Sequence, residues 1–349
     1  MHKKYTGQNL RYLPLFAFVL GVMTIGIAGC HKTNPTQNPN ATAVQAADDS
    51  QDPAEQANLA PAAATTQPSA SEQQTAPPPP ADESANSQPT AGDNDYSYNA
   101  APADESYADE PVTYAPDPPP PLPEYEQPEC PGPDYIWTPG YWAYAPVGYY
   151  WVPGAWLVAP YVGSLWTPGY WGFYGGRYLW HYGYWGPHIG FYGGVNYGYG
   201  YIGTGYVGGY WNNGAFMYNT AVTRVNPAYV HRTYSYHVTI VNDRRISYNG
   251  GRGGLAARPL PAERVAVQER HMGPLPAQHA HMREAATNRA QWASVNHERP
   301  ATLAVAQPLD TKRHAPEAMP ATVREQVQHE TAARHQEIAR PTNESRPEA

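Results

Sequence analysis

One pattern constrains this chain more than any other: tryptophan, two residues, glycine, one residue, tryptophan. Its copies read Trp137-Thr-Pro-Gly-Tyr-Trp142, Trp151-Val-Pro-Gly-Ala-Trp156, Trp166-Thr-Pro-Gly-Tyr-Trp171 and Trp180-His-Tyr-Gly-Tyr-Trp185, starting 14, 15 and 14 residues apart. A degenerate fifth copy ends at Gly208-Gly209-Tyr210-Trp211. A short fixed period marks units that cannot bury an apolar face alone and must pack on their neighbours.

Within a copy, proline presets φ near about −65° and glycine accepts a positive φ, which predicts a type II turn over residues 138–141. The flanking rings then face one another, making Trp137 with Trp142, Trp151 with Trp156, and Trp166 with Trp171 cross-strand pairs, each adding about 0.2 to 1 kcal/mol over alanines. Further breakers at Ala145-Pro146-Val147-Gly148, Pro160-Tyr161-Val162-Gly163 and Gly175-Gly176 split each copy into two short strands. The expected fold is a mostly disordered chain with a small all-β aromatic repeat region, an antiparallel meander of short strands, and short, weak α-helices in the C-terminal third.

Composition agrees. Proline and glycine contribute 39 and 31 of 349 residues, and tyrosine reaches 29 against 5 phenylalanines. With few Leu, Ile and Val, an ordered part has to pack tyrosine and tryptophan, and a large buried active site is not expected. Five segments follow. Residues 1–29 read as an export signal, and 30–124 as a disordered, acidic tether rich in Pro, Ala and Gln, with proline runs at Pro77 to Pro80 and Pro118 to Pro121. Residues 125–219 are the aromatic repeat. Residues 220–254 alternate like short strands, with Tyr234, Tyr236, Val238 and Ile240 on one side, a turn at Asn242-Asp243 and a glycine-rich end. Residues 255–349 are basic, with helices expected over 262–271, 277–295 and 321–339 that pack little.

At the N-terminus, Lys3, Lys4 and Arg11 precede an apolar run from Leu13 to Ile27, too short for a comfortable bilayer crossing of about 20 residues. Ile27, Ala28, Gly29 and Cys30 then resemble the lipobox of bacterial lipoproteins. The resemblance implies diacylglycerol on the Cys30 sulfur, cleavage before it and acylation of the new amino group, a palmitate-type anchor. His31 at the next position points, by the same resemblance, to the outer membrane. Cys130 is the other cysteine, so no internal disulfide framework is expected once Cys30 carries lipid.

From Cys130 to Trp211 the chain resembles the YXWGXW, or WXXGXW, repeat proteins of bacterial envelopes. That resemblance implies an envelope location and a repeat architecture but no mechanism. The function expected is therefore non-enzymatic: an aromatic module that binds peptidoglycan or exopolysaccharide, with Trp137, Trp142, Trp151, Trp156, Trp166, Trp171, Trp180 and Trp185 as stacking platforms. The same rings could instead form the core, since little else is available to bury. The alternative is a structural lipoprotein that self-associates or docks another envelope protein by adding strands at open edges. No Gly-x-Ser-x-Gly, phosphate loop or Cys-x-x-Cys occurs, so no catalytic residue, cofactor or metal site is assigned and no nucleic-acid partner is expected. His279 and His281 diverge on a helix and read as incidental.

Overall fold

The computed structural model describes residues 52–61, 112–238, 245–312 and 315–338. Cys30 and the Asn242-Asp243 turn lie outside them. Among the described residues no helix is long and apolar enough to cross a membrane.

The repeat folds in pairs of copies. After β1 (Tyr114–Ala115), the first pair supplies β2 (Tyr135–Thr138), β3 (Tyr141–Ala145), β4 (Gly148–Val152) and β5 (Ala155–Val158). Strand β3 pairs with β4, and β2 with β5. The register from Ala145↔Gly148 through Tyr141↔Val152 to Thr138↔Ala155 is continuous, so the two copies form one long antiparallel hairpin whose ladder is interrupted where Pro139-Gly140 lies opposite Pro153-Gly154. The third and fourth copies repeat this with β6 (Leu165–Thr167), β7 (Tyr170–Tyr174), β8 (Arg177–His181) and β9 (Tyr184–Gly186). Gly175 and Gly176, both at positive φ, close its two-residue tip.

This pairing replaces the expected one. Trp137 lies opposite Trp156, Trp142 opposite Trp151, Trp166 opposite Trp185 and Trp171 opposite Trp180. The four ring pairs have centroid separations of 5.2, 5.3, 5.2 and 5.3 Å, a tilted or edge-on geometry that suits the ring quadrupoles. Tryptophans thus pair between copies, not across the turn within one.

Nor do the Pro-Gly steps, or Tyr182-Gly183 in the fourth copy, form the expected type II turn, because none of Gly140, Gly154, Gly169 or Gly183 has a positive φ. These glycines make room instead. A Cβ at Gly140 would lie 2.3 Å from Trp151 Cζ2, and one at Gly154 would lie 2.5 Å from Trp137 Cζ2. Gly169 faces Trp180 and Gly183 faces Trp166 in the same way, each at 2.5 Å. The first tryptophan of each copy therefore covers the glycine of its partner copy. Two copies are the smallest unit that satisfies both.

The two hairpins pack through rings and indole N–H groups. Trp171 Nε1 donates to Trp142 O at 2.8 Å, Tyr141 stacks on Trp180 at 5.0 Å, and the Tyr201 hydroxyl donates to Trp166 O at 2.8 Å. The chain continues through β10 (Asn196–Gly198), β11 (Tyr201–Ile202), β12 (Gly209–Asn212) and β13 (Ala215–Asn219), with β14 (Thr233–Tyr234) added in parallel to β13 and β15 (Tyr248–Asn249) in parallel to β7. The fifth copy's Trp211 faces Phe216, not a tryptophan.

Two further expectations change. The segment read as tether contributes to the fold in two places: helix α1 (Pro53–Asn58) anchors through Asn58 Nδ2, which donates to Tyr206 O and Gly209 O at 2.7 Å each. The Pro118 to Pro121 run is glued to the core, accepting from Trp142 Nε1 at Pro121 O and from Ser247 Oγ at Pro120 O. Proline carbonyls, with no N–H of their own to satisfy, suit this acceptor role. The C-terminal helices α2 (Pro261–Ala266), α3 (Pro276–Thr287), α4 (Ala293–Asn296) and α5 (Ala321–Ile338) pack more than their weak faces suggested. Gln278 of α3 accepts from Trp185 Nε1, and His281 Nε2 donates to Pro153 O at 2.9 Å.

His181 lies opposite Tyr170, their rings stacked at 4.4 Å. Burial pushes its pKa down from 6.5 to about 4, so the unfolded chain takes up this proton more readily than the folded one. The stability held by neutral His181 is complete above pH 6.5 and is lost as pH falls toward 4, by up to about 3 kcal/mol. Glu263, whose buried carboxyl is pushed upward, acts with the opposite sign. The comparison is therefore the urea midpoint of wild type against His181→Phe at pH 7 and pH 4.5, where the wild type should lose more.

Candidate functional site

All eight tryptophans offered as stacking platforms are interior, from 0% exposed at Trp137, Trp156 and Trp185 to 8% at Trp180. Each packs against at least one other aromatic ring, so the platform reading gives way to the core reading. Sheet edges, the expected docking route for a partner, are largely filled by the chain itself. Strand β1 lies along β8, β15 along β7, residues 303–305 bond both sides of Gly154, and Met272 exchanges two bonds with Trp185. Cys130 is buried, its thiol donates to Gly132 O, and burial pushes its pKa up to about 11. Such a thiol is inert at neutral pH.

Two hollows stand out among the described residues. At the Pro-Gly interruptions, Pro139, Pro153 and Pro168 of the two hairpins border a groove of about 40 Å³ beside His279 and His281. That admits a water or two, not a sugar ring. The second hollow, about 270 Å³, lies between α1, the 202–207 segment that joins β11 to β12, and residues 236–238. Its wall includes Asp52, Glu55, Thr204, Tyr206, Tyr236 and His237.

Asp52 is built into place. It is the N-cap of α1, its Oδ1 accepting from Ala54 N at 3.0 Å and from the Tyr234 hydroxyl at 3.1 Å. The residue is 1% exposed, and Oδ2 has no hydrogen-bond partner among the described residues. Burial raises the carboxyl pKa, and the bonds from Ala54 and Tyr234 offset this in part. An acceptor oxygen left unpaired in the interior costs about 1–3 kcal/mol unless something arrives to bond it. The sequence carried the helix signal, Asp52-Pro53 followed by Glu55, which is an N-cap, a proline at the first helical position and an early acid. The tether composition on either side masks this signal.

A flatter surface lies at the β7/β8 tip. Phe173 and Tyr174 are 40% and 63% exposed, and Arg177 stands over the Tyr114 ring at 4.0 Å.

Residues 132–156 match the family model for the WXXGXW repeat in two copies, and those two copies form the first hairpin. Over this stretch the chain carries that repeat. No curated protein and no solved structure shows significant similarity to it.

Proposed function

We propose that this WXXGXW-repeat chain is a non-catalytic, lipid-anchored protein of the cell envelope whose aromatic module holds a saccharide unit of peptidoglycan or exopolysaccharide in the hollow beside Asp52. The observation that carries this reading is the buried Asp52 carboxylate, with one oxygen unpaired, at the wall of a cavity that also includes the partly exposed Tyr236 ring. A carboxylate accepts from sugar hydroxyls, and a tyrosine ring offers an apolar face with a polar tip. At about 270 Å³ the hollow falls just below the size at which small-molecule sites begin, roughly 300 Å³, which suits one sugar unit.

Anchoring at Cys30 fits this arrangement. Residues 31–51 separate the lipid-bearing position from Asp52, and a chain of that length spans at most about 75 Å when fully extended. The module works within that distance of the bilayer, closer than the 30–124 tether would hold it. Cleavage and acylation of Cys30 predict that labelled palmitate enters the wild type and not Cys30→Ala; labelling that persists in the variant contradicts the anchor.

For the glycan, the full chain is captured on peptidoglycan and on exopolysaccharide. Asp52→Asn keeps the helix cap, because asparagine caps as well as aspartate, and it should weaken capture about tenfold at an unchanged urea midpoint. Capture that is indifferent to both Asp52→Asn and Tyr236→Ala contradicts the site. The exposed tip at Phe173, Tyr174 and Tyr114 favours a second reading, docking of another envelope protein. In that case Tyr174→Ala, not Asp52→Asn, abolishes co-purification of the partner.

A further inference from the structure

Away from the glycan hollow, three elements distant in sequence bring chelating side chains together. His188 follows β9, Glu269 follows α2, and Glu330 lies on α5; one ligand atom from each falls within 4.8 Å of the others. His188 Nδ1 is 2.7 and 2.9 Å from the two oxygens of Glu269. The Glu269 side chain is 2% exposed. Glu330 Oε1 accepts from Gln326 Nε2 at 3.0 Å, while its Oε2 is buried, meets no donor among the described residues, and the carboxyl faces that of Glu269. The hydroxyl of Tyr161, itself 2% exposed, also has no partner there, and Glu269 is near enough for its charge to be felt at that oxygen.

We propose that His188, Glu269 and Glu330 form a binding site for one divalent transition-metal ion, which clamps α5 onto the repeat module. Even a protonated His188 leaves two carboxylates facing one positive charge, a surplus that burial makes costly. A divalent cation balances both. One imidazole nitrogen and two carboxylate oxygens suit zinc and its first-row neighbours. At metal–ligand distances near 2.05 Å, tetrahedral ligand atoms stand about 3.4 Å apart, so the cluster needs only small shifts to close on an ion.

The test uses the untagged full chain and Zn²⁺ alone. After equilibrium dialysis, wild type should retain one more equivalent of zinc than Glu330→Gln and than Glu269→Gln, because the other histidines are common to all three. Glu330 is partly exposed, so its variant keeps the fold and reads the site even if Glu269→Gln does not. Zinc should also raise the urea midpoint of wild type and slow proteolysis within α5, with neither effect in Glu330→Gln. Equal zinc content in wild type and Glu330→Gln, or an equal midpoint rise in both, overturns the proposal.

Discussion

Trp171→Ala should bring the chain to the edge of unfolding, lowering stability by about 4–5 kcal/mol. The ring is 1% exposed, packs against Trp180, Tyr144 and Tyr149, and donates from Nε1 to Trp142 O. Truncating a buried tryptophan costs about 3–5 kcal/mol, and the lost hydrogen bond leaves a buried carbonyl short of a donor. This ring also joins the two hairpins, so its loss unsettles both. Against a typical domain stability of about 5–15 kcal/mol, that is a large share. The measurement is the urea midpoint, with Tyr174→Ala, at the exposed tip, as the comparison expected to stay within about 0.5 kcal/mol. A Trp171→Ala chain with the wild-type midpoint would mean that the ring is not core. Any glycan binding lost in Trp171→Ala is then a consequence of unfolding, not of a missing platform.

Gly140→Ala should cost about 3 kcal/mol, as much as many large-to-small core changes, although it adds only a methyl group. That carbon would meet Trp151 Cζ2 at 2.3 Å and Gly154 N at 3.0 Å, and neither can retreat: Trp151 is held by its Nε1 bond to Leu303 O, and Gly154 N is bonded to the same carbonyl. Overpacking of this kind typically costs about 1–3 kcal/mol, more where backbone is involved. Gly132→Ala is the matched control. Its Cβ would meet Tyr135 only at 3.6 Å, an ordinary contact, and its urea midpoint should barely move.

The repeat, its period, its strand character and its all-β outcome were legible in the sequence because tryptophan and glycine recur at fixed spacing. The partner of each copy was not. Pro-Gly has two uses, a turn that needs positive φ and a ladder interruption that needs space, and the sequence of one copy serves either. What separates them is the shorter turns between copies, Pro146-Val147 and Gly175-Gly176, which close two-residue hairpins and pair copy with copy. Cross-copy pairing also accounts for the buried tryptophans, since each first ring is committed to a glycine. Asp52 escaped notice for a different reason: a short helix in proline-rich surroundings gains its stability from Asn58 and the residues it docks on, and composition cannot register a docking surface supplied from about 150 residues away. His188, Glu269 and Glu330 carry no local pattern at all.

The reciprocal cover of glycine by tryptophan is tested most directly by a double-mutant cycle between Gly140 and Trp151. Phenylalanine at position 151 lacks the outer indole atoms that a Cβ at Gly140 would strike. The cost of Gly140→Ala should therefore fall by at least about 1 kcal/mol in the Trp151→Phe background, while remaining unchanged in a Trp156→Phe background. An equal cost in wild type and in Trp151→Phe would contradict the account and return Gly140 to the role of a turn residue.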